Sequence, residues 1–265
     1  MKLIIAVLLM APWLCVRAQT NELQSGVYSW SNSKDEKIGI VEKREILNGK
    51  TLDLQHFEIY TLTLLPGKTY IPPVTDEHNE QLIVVKSGNI KLRLKDTAQT
   101  VGAGSIALVL AGDKISFQNK SAIAAIWYVI NYKSVNPANK QRGYGAGSSF
   151  IKNWDQLKVN ISTKGESRSL FDRPTTMFER FEVHATALNP GYASHDPHTH
   201  RVEELILLLT GDVQETIGQN KFNAYEGDCI YLQSEILHGP KNISNKQCYY
   251  LAIQWHNLKQ IDQPN

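Results

Sequence analysis

Cysteine is scarce, with three residues in 265. One of them, Cys15, lies in an N-terminal apolar run, so Cys229 and Cys248 are all that a processed chain would keep. Two thiols exclude a disulfide-stapled scaffold. Each reads as a small buried hydrophobe in a strand, and spacing leaves a bond between them open. An excess of charge is also missing: 28 Lys+Arg face 26 Asp+Glu, a formal net charge of +2. No basic run is interleaved with aromatics, so the footprint of a nucleic-acid binder is absent. Beyond the N-terminus no apolar run approaches the roughly 20 residues that span a bilayer. The glycines of Gly143-Tyr144-Gly145-Ala146-Gly147 lack the strand–glycine–helix context of a phosphate loop. No Ser-His-Asp or Cys-His nucleophile arrangement stands out. What remains is ordinary globular composition, 42% hydrophobic, with length for about two domains.

The first residues stand apart. Met1-Lys2 precedes an apolar run from Leu3 to Trp13, and Val16 and Ala18 are small residues ahead of Gln19. A basic start, an apolar core and small residues at the cut predict a secretory signal peptide over residues 1–18. Pro12-Trp13-Leu14 lacks the small residue wanted before a lipidated cysteine. The expectation is therefore soluble export, secreted or periplasmic, with no membrane contact after cleavage. Cleavage removes Lys2 and Arg17 and no acid, leaving a nearly neutral protein.

The chain then repeats itself. FEIYTLTLLPG around Phe57 returns as FEVHATALNPG around Phe181, with Phe57, Glu58, Pro66 and Gly67 matching Phe181, Glu182, Pro190 and Gly191 at an offset of 124. From there the offset is 123: Gly88 matches Gly211, Gly104 matches Gly227 and Asn119 matches Asn242. Two copies follow, 50–133 and 174–257, joined by a linker over 134–173. Ser134–Ser149, rich in Asn, Gly, Ser and Pro, reads as its exposed part, and Phe150–Leu157 as one or two helical turns. Each copy shows short apolar or alternating runs broken by Pro-Gly and Ser-Gly turns, which predicts an all-β sandwich or barrel. Apolar residues on both faces of Leu205–Leu209 require cover on both sides, from the partner barrel or from a second subunit in a homodimer.

The second copy carries the chemistry. In a strand, residues two apart share a face. His198 and His200 therefore project together, and Glu204 shares their parity within the apolar run Leu205–Leu208. A charge buried there is costly unless paired, and a cation held by two imidazoles and a carboxylate resolves the cost. His238, after Gly227, offers a fourth ligand. Imidazole and carboxylate together suit a divalent first-row metal and leave positions open for water or substrate. Parity also nominates Tyr231 and Gln233 on one strand and Tyr250 and Gln254 on the last as pocket residues, with His195 as a loop residue able to touch substrate. Cys229 and Cys248 have no cationic neighbour in sequence that would mark a reactive thiol.

These motifs resemble those of the cupin superfamily. The pattern G-x5-H-x-H-x3,4-E-x6-G is met by Gly191, His198, His200, Glu204 and Gly211, with one extra residue before the first histidine. The pattern G-x5-P-x-G-x2-H-x3-N is met by Gly227, His238 and Asn242, with Gln233 where proline is usual and Glu235 where glycine is usual. The resemblance covers essentially the whole mature chain as a bicupin. It implies two tandem jelly-roll β-barrels, with one divalent transition metal in the second: manganese or iron first, with nickel, copper or zinc as alternatives. In the first copy the ligand positions become Thr75, Glu77, Gln81 and Ile115, so the folding unit is kept and its site is lost. Glu77, His78 and Glu80 are the residues a degenerate first-copy site would use.

With the N-terminal signal pattern, the resemblance implies an exported enzyme acting on a small oxygen-rich substrate, a phenolic, carboxylate or sugar acid. The metal would act as Lewis acid or oxygen activator, with dioxygenase-like chemistry leading. The ligand set looks closer to quercetin dioxygenase-like and oxalate-active cupins than to ureidoglycine aminohydrolases, whose set begins Glu-x-His. Such a hydrolase, and a sugar-binding cupin without turnover, are the alternatives.

Overall fold

The run Glu203–Thr210, EELILLLT, is buried at every residue but the last. An alternating strand exposes one face, so a strand buried on both must lie between two cores. The computed structural model describes residues 22–73 and 78–257 and shows those cores. The segment 1–18, Thr75 and Glu77 lie outside the described residues.

Two seven-stranded antiparallel sheets form the body. In the first, Ala125–Ser134 lies at the centre between Leu54–Leu64 and Glu80–Ser87. In the second, Cys248–His256 holds the equivalent place between Arg180–Leu188 and Glu203–Thr210. Facing each large sheet is a small one, four-stranded in the first unit and three-stranded in the second, and each pair encloses a barrel. The large sheets stack on one another through their outer faces. Phe57, Ile59, Leu82 and Tyr132 of the first meet Phe181, Val183, Leu205 and Trp255 of the second in one continuous core. Ile206 and Leu208 turn the other way, into the second barrel. Both faces of Leu205–Leu209 are thus covered within the chain.

The two units exchange their first strands. Gly26–Tyr28 pairs with Cys229–Leu232 of the second unit, and Phe150–Lys152 pairs with Ile106–Val109 of the first. The tryptophan that follows each exchanged strand seals the crossing. A Cβ on Gly104, at φ +81°, would meet the Trp154 ring at 2.6 Å, and one on Gly227, at φ +97°, would meet Trp30 at 3.2 Å. Glycine is required there both for its left-handed backbone and for the ring lying on it. Arg44 lies over Trp30 at 4.0 Å and Arg168 over Trp154 at 4.4 Å.

This corrects the expected linker. The stretch 134–173 contains the strands Phe150–Lys152, Asn160–Ser162 and Gly165–Arg173, and the last two belong to the second large sheet. Phe150–Lys152 is extended where helix was expected, because its backbone completes a ladder on a distant strand; only Trp154–Gln156 makes a 3₁₀ turn. The glycine-rich part forms the short helix Lys140–Gly145, capped by Asn139. Gly143 is buried in it, with space for no Cβ against Thr176 at 2.4 Å. Asn119 and Asn242 are fully buried, and each side-chain amide donates to two backbone carbonyls, which is their turn role. Cys229 and Cys248 are both free and buried, and burial pushes both thiols up from their ordinary range. No helix of the described residues is long and apolar enough to cross a membrane.

Candidate metal centre

The loop after Gly191 folds back on the strand His238–Asn242. His198 N–H donates to the His238 carbonyl at 3.0 Å and the reverse bond is 2.9 Å, a two-residue antiparallel bridge. This bridge joins ligand candidates that the chain separates by four strands. Glu235 N–H donates to the His200 carbonyl at 2.8 Å and holds the third histidine from the opposite loop. Glu235 has φ +61°, so the left-handed turn that usually employs glycine is made here by a residue for which it costs about 1–2 kcal/mol.

The donor atoms of His198, His200 and His238 all lie within 4.8 Å of one another. Glu204 reaches the same place from the strand floor: its Oε2 is 3.2 Å from His200 Nε2 and 3.3 Å from His238 Nε2. The remaining contacts settle which atoms face inward. His200 Nδ1 lies 2.8 Å from the Val202 carbonyl, and His238 Nδ1 lies 2.8 Å from the Ile236 carbonyl. A carbonyl only accepts, so both Nδ1 atoms carry their protons and a neutral ring presents a lone pair at Nε2. Those lone pairs meet a carboxylate, which offers only lone pairs of its own. His238 Nε2 is buried without a hydrogen-bond donor or acceptor partner. Acceptors converging in a buried place require a positive centre between them. The separations of Glu204 from His200 and His238, 3.2 and 3.3 Å, match bonds of about 2.0–2.2 Å to a common ion. The residues therefore fit a divalent transition metal.

The electrostatics agree. Burial raises the Glu204 carboxyl, but the neighbouring His200 and His238 outweigh it and hold the group well below its ordinary range. Burial lowers His200, yet Glu204 moves it above its ordinary value. Burial and the neighbouring His195, His238 and His200 lower His198. An ionised carboxylate beside a His198 ring that gives up its proton readily suits metal capture.

The other expected site residues divide by face. Gln254 points inward and donates to Glu204 Oε2 at 3.2 Å, and Tyr250 lines the cavity beside the cluster. His195 also lines it, with its Nδ1 3.1 Å from His198 Nδ1. The same His195 Nδ1 lies 3.0 Å from the Asp196 carbonyl, which only accepts, so His195 is the donor at this atom. Tyr231 and Gln233 lie elsewhere. Tyr231 points into the core between the sheets and donates to Glu203 Oε1 at 2.5 Å. Gln233 anchors Ser25, which donates to its Oε1 at 3.3 Å. Parity grouped these two correctly but did not say which side of the sheet held the site; Ile230 and Leu232 face the barrel instead. In the first barrel, Ile115 and Gln81 stand at two of the ligand positions, His78 is exposed, and Glu80 turns into the contact between units.

Glu215 was missed. It is fully buried inside the second barrel between Val213 and Ile217. Gly239 N–H donates to its Oε1 at 2.6 Å, and its Oε2 has no partner. Burial, with a smaller contribution from Glu204, pushes the carboxyl up to about 8, so it holds its proton at neutral pH. The alternation Val213-x-Glu215-x-Ile217 carried the signal: an acid at an inward position.

A cavity of about 420 Å³ opens beside Glu204, His198 and His238, walled by the strands of the second large sheet and by the hairpin at Lys164. Fold and site together define a double-barrel β protein with one metal-competent centre among the described residues. Residues 185–254, within the second barrel, match the cupin domain family model. Three solved structures show the same architecture along most of this chain. AerE from Microcystis aeruginosa is 18% identical over 84% of this chain and 96% of its own, with TM-score 0.64. A putative glyoxylate-induced protein from Pseudomonas aeruginosa is 17% identical, over 87% of each chain, with TM-score 0.68. The oxalate decarboxylase of Lactobacillus farciminis, in complex with formate, is 13% identical over 89% of this chain and 87% of its own, with TM-score 0.69. At these identities the likeness is one of fold. No curated protein sequence matches the chain.

Proposed function

We propose that this protein is an exported metal-dependent enzyme acting on a small oxygen-rich substrate. One observation carries the reading: three imidazoles and a carboxylate, with His238 and Glu204 buried, converge at the end of an open cavity. A structural ion has all its positions filled by protein, whereas a centre facing a cavity keeps positions for an exchangeable oxygen. His198, His200, Glu204 and His238 would hold the ion. Bound there, manganese or iron would supply Lewis-acid polarisation of a substrate oxygen or activation of dioxygen.

The chain's own residues do the rest. Gln254 fixes Glu204 through its amide, and His195 orients His198. The Glu215 carboxyl, next to the ligand-bearing strand, is a store of one proton within the barrel. Oxalate decarboxylase among the proteins of like fold supports a carboxylate as one substrate group. The test is metal analysis of the purified protein followed by oxygen uptake against phenolics, dicarboxylates and uronates. Near one equivalent of transition metal, lost in His198→Ala, supports the reading. Less than about half an equivalent, with His198→Ala unchanged in stability, overturns it. Turnover without oxygen uptake would assign Lewis-acid chemistry, and ligand capture without turnover would make the protein a binding module. Export over residues 1–18 is tested by the N-terminus of the mature protein, expected at Gln19.

A further inference from the structure

The two barrels share one skeleton, so the first shows what the second gave up to make its cavity. In the first, Tyr60, Leu62, Tyr70, Phe117 and Trp127 occupy the positions corresponding to His184, Thr186, Ser194, Pro240 and Tyr250. Phe117 and Trp127 stack at 4.5 Å and Tyr70 lies 6.2 Å from Phe117, which fills that interior with rings. The exchange in the second barrel removes volume and also changes the chemistry of the wall. A cavity meant for a hydrocarbon needs only smaller apolar residues. Here Thr186 and Tyr250 stand directly opposite each other on neighbouring strands of the cavity wall, and Ser194 lines the same cavity with a buried hydroxyl that has no protein partner. Each hydroxyl both donates and accepts, and a cluster of them serves a ligand whose own groups do both.

The charges are placed at the two ends. Three neutral histidines and Glu204 leave a divalent ion with one net positive charge. At the mouth, Lys164 spends one of its three N–H groups on the Ser194 carbonyl at 2.8 Å. Of the acids near the cavity, Glu166 is paired with Arg168 at 3.2 Å, and Glu182 with Arg180 at 2.6 Å. Anionic character in the ligand is therefore matched and not opposed.

Building on the metal-dependent reading, we infer that the cavity takes a small polyhydroxylated carboxylate, an aldonic or uronic acid, whose hydroxyls are read by Thr186, Ser194 and Tyr250. A phenolic ring would lay an apolar face on these hydroxyls and leave them unpaired. A short diacid such as oxalate would leave most of the cavity unfilled.

Calorimetric titration of the purified full-length mature protein, with its metal content measured, tests this. Gluconate and galacturonate are the probes; galactose, catechol and oxalate are the comparisons. The sugar acids are expected to bind at least about tenfold more tightly than any of the three. Thr186→Val, nearly isosteric, and Thr186→Leu, the first barrel's residue, should each weaken gluconate by about tenfold or more with metal content and melting temperature unchanged. Tighter binding of catechol or oxalate than of gluconate overturns the inference while leaving a metalloenzyme. Gluconate binding untouched by Thr186→Val and Ser194→Ala overturns it as well. A protein that holds no metal defeats the enzymatic reading alone; gluconate binding lost in Thr186→Val would still assign the hydroxyl wall.

Discussion

Glu80 and Glu203 occupy equivalent positions of the two units, and each reaches across to hold a loop of the other. Glu80 accepts from Thr176 N–H at 2.7 Å, from the Thr176 hydroxyl and from its own unit's Tyr132 at 3.1 Å. Glu203 accepts from Thr51 at 2.7 Å, from Leu52 and Asp53 N–H at 3.2 Å each, and from its own unit's Trp255 at 3.0 Å. Both carboxyls are fully buried. Satisfied carboxylates inside an apolar contact specify its register, since a slip would leave them unpaired.

Removing one clamp should loosen the contact between units without touching the metal centre. Glu80→Ala is expected to cost about 3–5 kcal/mol in urea unfolding, and Glu80→Gln less, because the amide oxygen still accepts. Metal content should equal that of the parent in both. Stability unaltered within about 0.5 kcal/mol would remove Glu80 from the account.

His238→Ile copies the first barrel, where Ile115 stands at this position in a folded unit. The variant should therefore fold, with a melting temperature in chelator within a few degrees of the parent's, and lose most of its metal. Retention of a full equivalent would mean that the ion lies elsewhere.

Glu215 makes the stability of the metal-free protein depend on pH. Its carboxyl is near 8 in the folded chain and in the ordinary range near 4.5 when unfolded. The folded state thus binds more protons between those values, and the stabilisation, full below about pH 4.5, declines as pH rises through about 8. Urea unfolding from pH 5 to 9 in chelator should show that fall. Glu215→Gln should flatten it, and an equal slope in the variant would assign the effect to another group.

Strand exchange ties the N-terminal segment to the second barrel. A chain starting at Ser31 lacks Gly26–Tyr28 and Trp30, so the strand Cys229–Leu232 loses its edge partner. Cys229, fully buried and with its thiol pushed far up, is inert in the intact protein. Thiol labelling of the native truncated chain should proceed at least about tenfold faster at Cys229, because the covering strand no longer has to open first. Unchanged labelling would show that the strand is dispensable cover.

Much of this protein follows from local pattern. Two-residue spacing put His198, His200 and Glu204 on one side, and the repeat at an offset of 123 set His238 against Ile115. Those relations rest on backbone periodicity, which a sequence carries in full. Trp30 with Arg44 and Trp154 with Arg168, both at 124, show that the repeat begins earlier than residues 50 and 174. What no local pattern contains is which face of a strand meets which neighbour. Tyr231 and Tyr250 are alike in the sequence, yet one fills the contact between sheets and the other the cavity wall. Phe150–Lys152 is a strand because its partner lies in the other unit, and Glu215 is a proton-holding acid because the closed barrel excludes water from it. Parity divides a strand into two sides; only packing makes one of them the inside.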